Sequence, residues 1–186
     1  MQQWTVLGIC GSLRQGSYNA ALLRLAERTT LETRFIGCDL AGQLPLFNPD
    51  MEEDTPNLPA AVREFRACAD QADGLVIATP EYAHGPAGVT KNAIDWLIGS
   101  GGIMNKPTLL LSASPGQAGG MRAQTPLMPT LTLLGSILVD CVVVSRAAAR
   151  VAENGEFHDA TVAERMKLAM GEFTDALRHS SHKKAT

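Results

Sequence analysis

Residues 4–28 read WTVLGIC, GSLRQGSYN and AALLRLAER in three consecutive pieces, Trp4–Cys10, Gly11–Asn19 and Ala20–Arg28. The first is a continuous apolar run of strand length, and the last has apolar residues at helical spacing. The nine residues between them are therefore a glycine-containing turn from strand to helix. Such a turn has the equipment to hold a phosphate monoester. Backbone N–H groups at a helix N-terminus point at an anion, and the helix dipole favours it. The hydroxyls of Ser12 and Ser17 and the amide of Asn19 can donate further hydrogen bonds, Arg14 can add a charge-assisted contact, and Tyr18 stands beside them. Gly11 and Gly16 permit close backbone approach. The same residues also suit a plain helix N-cap with a solvated arginine, Ser17 or Asn19 being a good cap in either case. Two familiar phosphate motifs are excluded. No Gly-Lys-Ser/Thr follows, and the spacing Gly8, Gly11, Gly16 does not match G-x-G-x-x-G, so Asp39 after a second strand is a weak ribose-binding acid.

Working outward, strand-like and helix-like runs alternate. Strands are predicted at Thr5–Cys10, Thr33–Gly37, Gly74–Thr79, Thr108–Ala113 and Ile137–Val144. Helices are predicted at Tyr18–Thr29, Leu58–Gln71, Gly88–Ile98, about Gly119–Leu134 and His158–Arg178. This pattern predicts an α/β fold with a five-stranded parallel sheet and helices on both faces. Residues 1–180 are read as one domain, residues 42–59 as a long surface loop, and the polar residues 181–186 as a disordered tail. In open α/β sheets, ligands bind outside the carboxyl ends of the strands. The loop after the third strand, Thr79–Gly88 (TPEYAHGPAG), and that after the fourth, Ser112–Gly120 (SASPGQAGG), should share a crevice with the first. An aromatic ring, exposed backbone and small residues suit a flat heteroaromatic ligand. A phosphate site beside a flat-ring site suggests a mononucleotide cofactor.

At 186 residues, 45% hydrophobic and 19% charged, the chain has the composition of an ordinary globular domain, and its net charge of -3 argues against nucleic acid or an anionic membrane as partner. No basic segment followed by a long apolar stretch opens it, so neither signal peptide nor membrane span is expected, and the cytoplasm is the expected compartment. Cys10, Cys38, Cys68 and Cys141 form no C-x-x-C, and neither disulfides nor a metal site is expected. A redox role for Cys10, just before the loop, lacks a nearby activating base.

GSLRQGSYN followed by PEYAHGPAGVTKNAIDWL resembles the NADPH-dependent FMN reductase family of the flavodoxin-like fold, in which GSLRxxSxN precedes PEYNxSxPGxLKNAIDW or a PEYAHG variant. Gly119–Gln124 (GGMRAQ) is similar to that family's GGxRAQ segment. The resemblance implies that Gly11, Ser12, Arg14, Ser17, Tyr18 and Asn19 hold the FMN phosphate. It implies that Pro80, Glu81, Tyr82, Ala83 and Gly85 line the isoalloxazine, with Ser114, Gly116 and Gly119 near its other edge. Three departures stand out: Ala83 and Gly85 replace the common Asn and Ser, Pro86-Ala87-Gly88 replaces Pro-Gly, and Pro126 and Pro129 fall where a helix is expected to start late or bend. Tyr82 also suits a core position, Lys91 and Asp95 suit a surface i, i+4 pair, Trp96 suits core or interface, and His84 suits either a substrate contact or a solvated loop. The stripe Val89, Ile94, Trp96, Leu97 and Ile98 fits an interface or the core.

The expected activity is hydride transfer from NADPH or NADH to FMN, then reduction of a second small-molecule acceptor at the same open face with ping-pong kinetics. A quinone, an azo compound, a metal oxyanion and free flavin are the expected acceptors. No side chain is needed as acid or base, Tyr82, Ala83 and His84 being those expected near the ring. The resemblance implies a homodimer or homotetramer. The rival readings are an FMN electron carrier, which is typically more acidic than this chain, and a flavin-binding regulatory protein; neither turns over NAD(P)H.

Overall fold

A computed structural model describes residues 3–184, the last three by backbone alone. In chain order the elements are β1 (Trp4–Cys10), α1 (Tyr18–Thr29), β2 (Thr33–Ile36), α2 (Pro49–Glu53), α3 (Ala60–Gln71), β3 (Gly74–Ala78), the two-residue strands β4 (Glu81–Tyr82) and β5 (Gly85–Pro86), α4 (Gly88–Ile98), β6 (Pro107–Ala113), α5 (Met121–Leu133), β7 (Ile137–Val144) and α6 (Ala160–Lys184). β1, β2, β3, β6 and β7 form one parallel sheet in the order β2-β1-β3-β6-β7. This is the flavodoxin-like arrangement, and its order reverses between β1 and β3, where the loops leaving the two strands part to opposite faces.

The pleat divides the core in two. Val6, Val76, Ala78, Leu109, Leu111 and Val142 face one side with residues of α1 and α6, including Leu22, Met166 and Phe173. Leu7, Ile9, Leu75, Ile77 and Leu110 face the other with residues of α3, α4 and α5, including Phe65, Trp96 and Leu127. Every residue of β3 is buried. Complete burial of each such Leu, Val or Ile contributes about 1.5–3 kcal/mol, so the strands that carry the site's loops are held from both faces.

Four expectations need amendment. Residues 42–59 are not only a surface loop. They contain α2 and a 3-10 turn at Thr55–Asn57, and Leu44 and Leu58 are buried beside α3 and α4. Nor does α5 start late. It runs Met121–Leu133 through Pro126 and Pro129. The carbonyls that each proline deprives of a donor belong to Arg122 and Thr125, both exposed residues on the solvent side of the helix. Of the stripe Val89, Ile94, Trp96, Leu97 and Ile98, the middle three are core, Val89 is half-buried against them and Ile98 is exposed. Finally, α6 continues to Lys184, through residues 181–184 that the polar composition assigned to a tail; residues 185 and 186 lie outside the described residues.

A candidate cofactor site at the carboxyl end of the sheet

Gly11 hands the chain from β1 to the loop, its N–H donating to Ala78 O at 2.8 Å. It must be glycine, because any side chain there would meet the Thr90 hydroxyl of α4. Thr90 in turn donates to Thr79 Oγ1 at 2.9 Å, so the starts of the first two site loops are fastened together under the cleft. Ser17 is the N-cap of α1, its Oγ accepting from Ala20 N–H at 3.1 Å. The N–H groups of Tyr18 and Asn19 precede the first intrahelical bond, from Ala21 to Ser17 O, and point out of the helix. Arg14 is exposed, with its guanidinium 5.4 Å from the centre of the Tyr18 ring. No carboxylate pairs with it among the described residues.

The Asn19 side chain has another duty than the one the sequence suggested. It is buried, Nδ2 donating to Ala113 O and Oδ1 accepting from Ala113 N–H, both at 3.0 Å. This two-way bond ties the first turn of α1 to the end of β6, so what Asn19 offers an anion is its backbone N–H.

The second loop is a hairpin. β4 and β5 pair Tyr82 with Gly85, and the two turn residues, Ala83 and His84, have φ of 50° and 60°. Two left-handed residues in succession make the tight turn that matches strand twist, normally filled by Asn-Gly. Its N–H groups at Ala83 and His84 lie outside the ladder. Tyr82 is 55% exposed and so is not a core aromatic. The Glu81 side chain is only 13% exposed, and its Oε1 lies 3.2 Å from Arg122 Nη1 and 3.8 Å from His84 Nδ1.

In the third loop Ser114 Oγ accepts from Gly116 N–H at 3.2 Å. The loop after β7 clasps it from outside, with Arg146 N–H donating to Gly116 O at 3.0 Å and Ala147 N–H to Ser114 O at 2.9 Å. Gly119 is buried with φ 61° and packs on Val143 and the backbone of Ser145. Its place is under the loop, away from the cleft. Gln124, buried, donates to Ser112 Oγ at 3.0 Å and Val142 O at 2.9 Å, holding α5 to the sheet.

The three loops enclose a cleft of about 90 Å³. Ser12, Arg14, Ser17, Tyr18 and Asn19 line it from the first loop, Pro80, Glu81 and Tyr82 from the second, and Ser114 from the third. Ala113 and Pro115 also line it; the sequence placed them in the third loop without singling them out. Of the other expected residues, Gly11 lies beneath, while Ala83, His84, Gly85 and Gly116 stand outside the lining. Cleft volumes for drug-sized ligands run from about 300 Å³ upward, so this one has room for a small anchoring group such as a phosphate and not for a whole mononucleotide. Its donor set of helix N-terminal N–H groups, two hydroxyls and an arginine without a counter-charge fits a phosphate.

The sequence matches the NADPH-dependent FMN reductase family over residues 4–150. The chain belongs to that family. Among its relatives, an NAD(P)H-dependent FMN reductase of Pseudomonas aeruginosa is 44% identical over 132 residues, 69% of this chain and 70% of that one. A quinone reductase of Escherichia coli K12 is 33% identical over 138 residues, 73% of each chain. In structure, the NAD(P)H:(acceptor) oxidoreductase FerB of Paracoccus denitrificans superposes with a TM-score of 0.79 at 26% identity, over 95% of this chain and 98% of the other. Family membership makes the protein an oxidoreductase with FMN and NAD(P)H as its cofactors.

Thiol chemistry has little support beside it. Burial pushes the Cys10 thiol up, and burial with Glu27 next in effect pushes Cys38 up to about 12, so neither is an activated thiolate. Among the described residues no three His, Cys, Asp or Glu side chains are grouped to hold a metal, and no helix is long and apolar enough to cross a membrane.

Proposed function

We propose that the loop Gly11–Asn19 holds the FMN phosphate and that the Tyr82 hairpin and Ser114 flank the ring, where NAD(P)H and then a small-molecule acceptor are received in turn. One observation carries this reading: an anion cradle with an unneutralised arginine closes one end of a cleft whose other end opens beside an exposed tyrosine. Bound FMN supplies the hydride and electron chemistry. The chain's own part is to bind and orient. Arg14, the Ser12 and Ser17 hydroxyls and the N–H groups of Tyr18 and Asn19 share the phosphate charge. The free N–H groups at Ala83 and His84 are donors for charge that accumulates on the ring. With one open face, donor product leaves before acceptor enters, and double-reciprocal lines for the two substrates run parallel. A quinone is favoured as acceptor by relatives named quinone reductases, ahead of an azo compound, a metal oxyanion or free flavin.

The same reading puts the protein in the cytoplasm as a homodimer or homotetramer. The exposed side of α5, with Met121, Met128 and Leu133, is suited to self-association. Anaerobic mixing of FMN-loaded protein with NADPH or NADH tests the activity. Bleaching of the flavin absorption band is expected, and a band that persists with both donors reduces the protein to a flavin carrier or binder.

A further inference from the structure

Glu81 is the one carboxylate lining the cleft among the described residues. It is largely buried, yet a single oxygen, Oε1, faces both the Arg122 guanidinium at 3.2 Å and the His84 ring at 3.8 Å. Arg122 is the second residue of α5, where the positive end of the helix dipole disfavours a cation, and the first turn of α5 contains no acidic residue. The counter-charge comes across from the hairpin. As a device for stability this is a poor arrangement. Arg122 is 54% exposed and His84 77% exposed, and pairs so open to water contribute little to folding. What the pair does control is the net charge at the wall of the cleft. Intact, it balances. Without Arg122, the shielded carboxylate that lines the cleft is left unbalanced; without Glu81, the guanidinium and the α5 N-terminus are left unbalanced next to residue 81 of the cleft wall.

We propose that the Arg122–Glu81 pair sets the reduction potential of the bound flavin, Arg122 being a positioning and charge-balancing residue that acts through Glu81. The inference rests on FMN occupying this cleft, as proposed above. Hydride uptake adds two electrons and one proton to the flavin, so charge of either sign left beside it shifts the balance between oxidised and reduced forms. His84 adds positive charge only when protonated, so variants are compared at one pH.

The experiment is anaerobic equilibration of FMN-loaded protein with a reference dye, reduced by dithionite, for the native protein and for Arg122→Gln, Arg122→Lys, Glu81→Gln and the double Gln variant. Arg122→Gln is expected to disfavour the reduced flavin about tenfold, a fall of about 30 mV for a two-electron couple. Glu81→Gln is expected to raise the potential, and the double variant and Arg122→Lys to return close to the native value. A purely structural pair would loosen the hairpin in both single variants and move the potential the same way in each. Shifts of one sign, or no shift, overturn the proposal. Should Glu81→Gln lose its flavin, the two Arg122 variants decide alone, since equal shifts for Gln and Lys also overturn it. Reduction by dithionite needs no nicotinamide, so a native protein that NAD(P)H fails to bleach refutes the proposed activity while leaving this comparison measurable.

Discussion

The two ends of the cleft are built on opposite principles. The proposed phosphate end, Gly11–Asn19, is relaxed: Ser17 caps its helix in extended backbone, Asn19 is satisfied twice by Ala113, and the donors left over are those an anion would use. The hairpin end is strained. Two non-glycine residues hold left-handed backbone, and a half-open ion pair spans from Glu81 to α5. Anchoring a charge needs donors fixed in place before the ligand arrives, which relaxed local structure provides. Strain of this kind persists only where surrounding contacts enforce it and gathers at sites that do chemistry. On the proposed function the comparison divides the labour: the first loop is assigned retention of the cofactor, and the second what happens on it.

The sharpest way to break that division is at Asn19. Asn19→Ala leaves the buried N–H and C=O of Ala113 without partners, each costing about 1–3 kcal/mol. We expect a loss of about 3 kcal/mol in urea unfolding, with FMN binding weakened as a consequence. A variant of native stability that binds FMN poorly would instead return the Asn19 side chain to the phosphate. Arg14→Ala is the complementary change. Its cation–π contact with Tyr18 is exposed and weak, so stability should barely move. Loss of a charge-assisted contact should raise the FMN dissociation constant about tenfold to a hundredfold. Turnover per bound flavin should stay as it was. A variant that keeps its flavin and loses turnover would move Arg14 from anchoring to chemistry.

Much of this is legible in the sequence. Continuous apolar runs such as Leu75–Ala78 mark strands covered on both faces, and the bounds of α1, α4 and β7 follow from local pattern alone. Residues 42–59 were only partly legible: Asn48 and Pro49 start α2 locally, but distant contacts seat the segment on the core. Pro45 O accepts from Trp96 Nε1 at 2.8 Å and from Asn92 Nδ2 at 2.9 Å, and Phe47 packs edge-on against Trp96 at 5.0 Å, about 50 residues away in sequence. The same reason hid the real partners in the site. Asn19 meets Ala113 across 94 residues and Glu81 meets Arg122 across 41. Local chemistry identified both residue types as functional, but only the sheet order decides what each one touches. Pro126 and Pro129 show the converse, a strong local signal for a break in a helix that continues through both, the prolines and the residues four before them being exposed.

Ala83 offers the smallest and most discriminating change. At φ 50° an alanine pays the steric cost that its β-carbon incurs in left-handed backbone, about 1–2 kcal/mol, whereas asparagine reaches this region readily through local hydrogen bonds. Ala83→Asn should therefore stabilise the protein by roughly 0.5–1 kcal/mol, raising Tm by about 2 °C for a chain of this size. Ala83→Gly removes the same strain but loosens the unfolded chain, an opposing effect of about 0.4–1 kcal/mol, so its gain should be smaller or absent. Neither change touches the phosphate end, and both should retain FMN as the native protein does. If the asparagine variant gains stability and also changes the rate of flavin bleaching, the strain at this turn is coupled to the chemistry. If it gains stability and the rate is unchanged, the hairpin acts through Glu81 and its backbone donors alone. A loss of stability on introducing asparagine would show that residue 83 is not held in left-handed backbone, and the contrast between a relaxed anchor and a strained wall would fall with it.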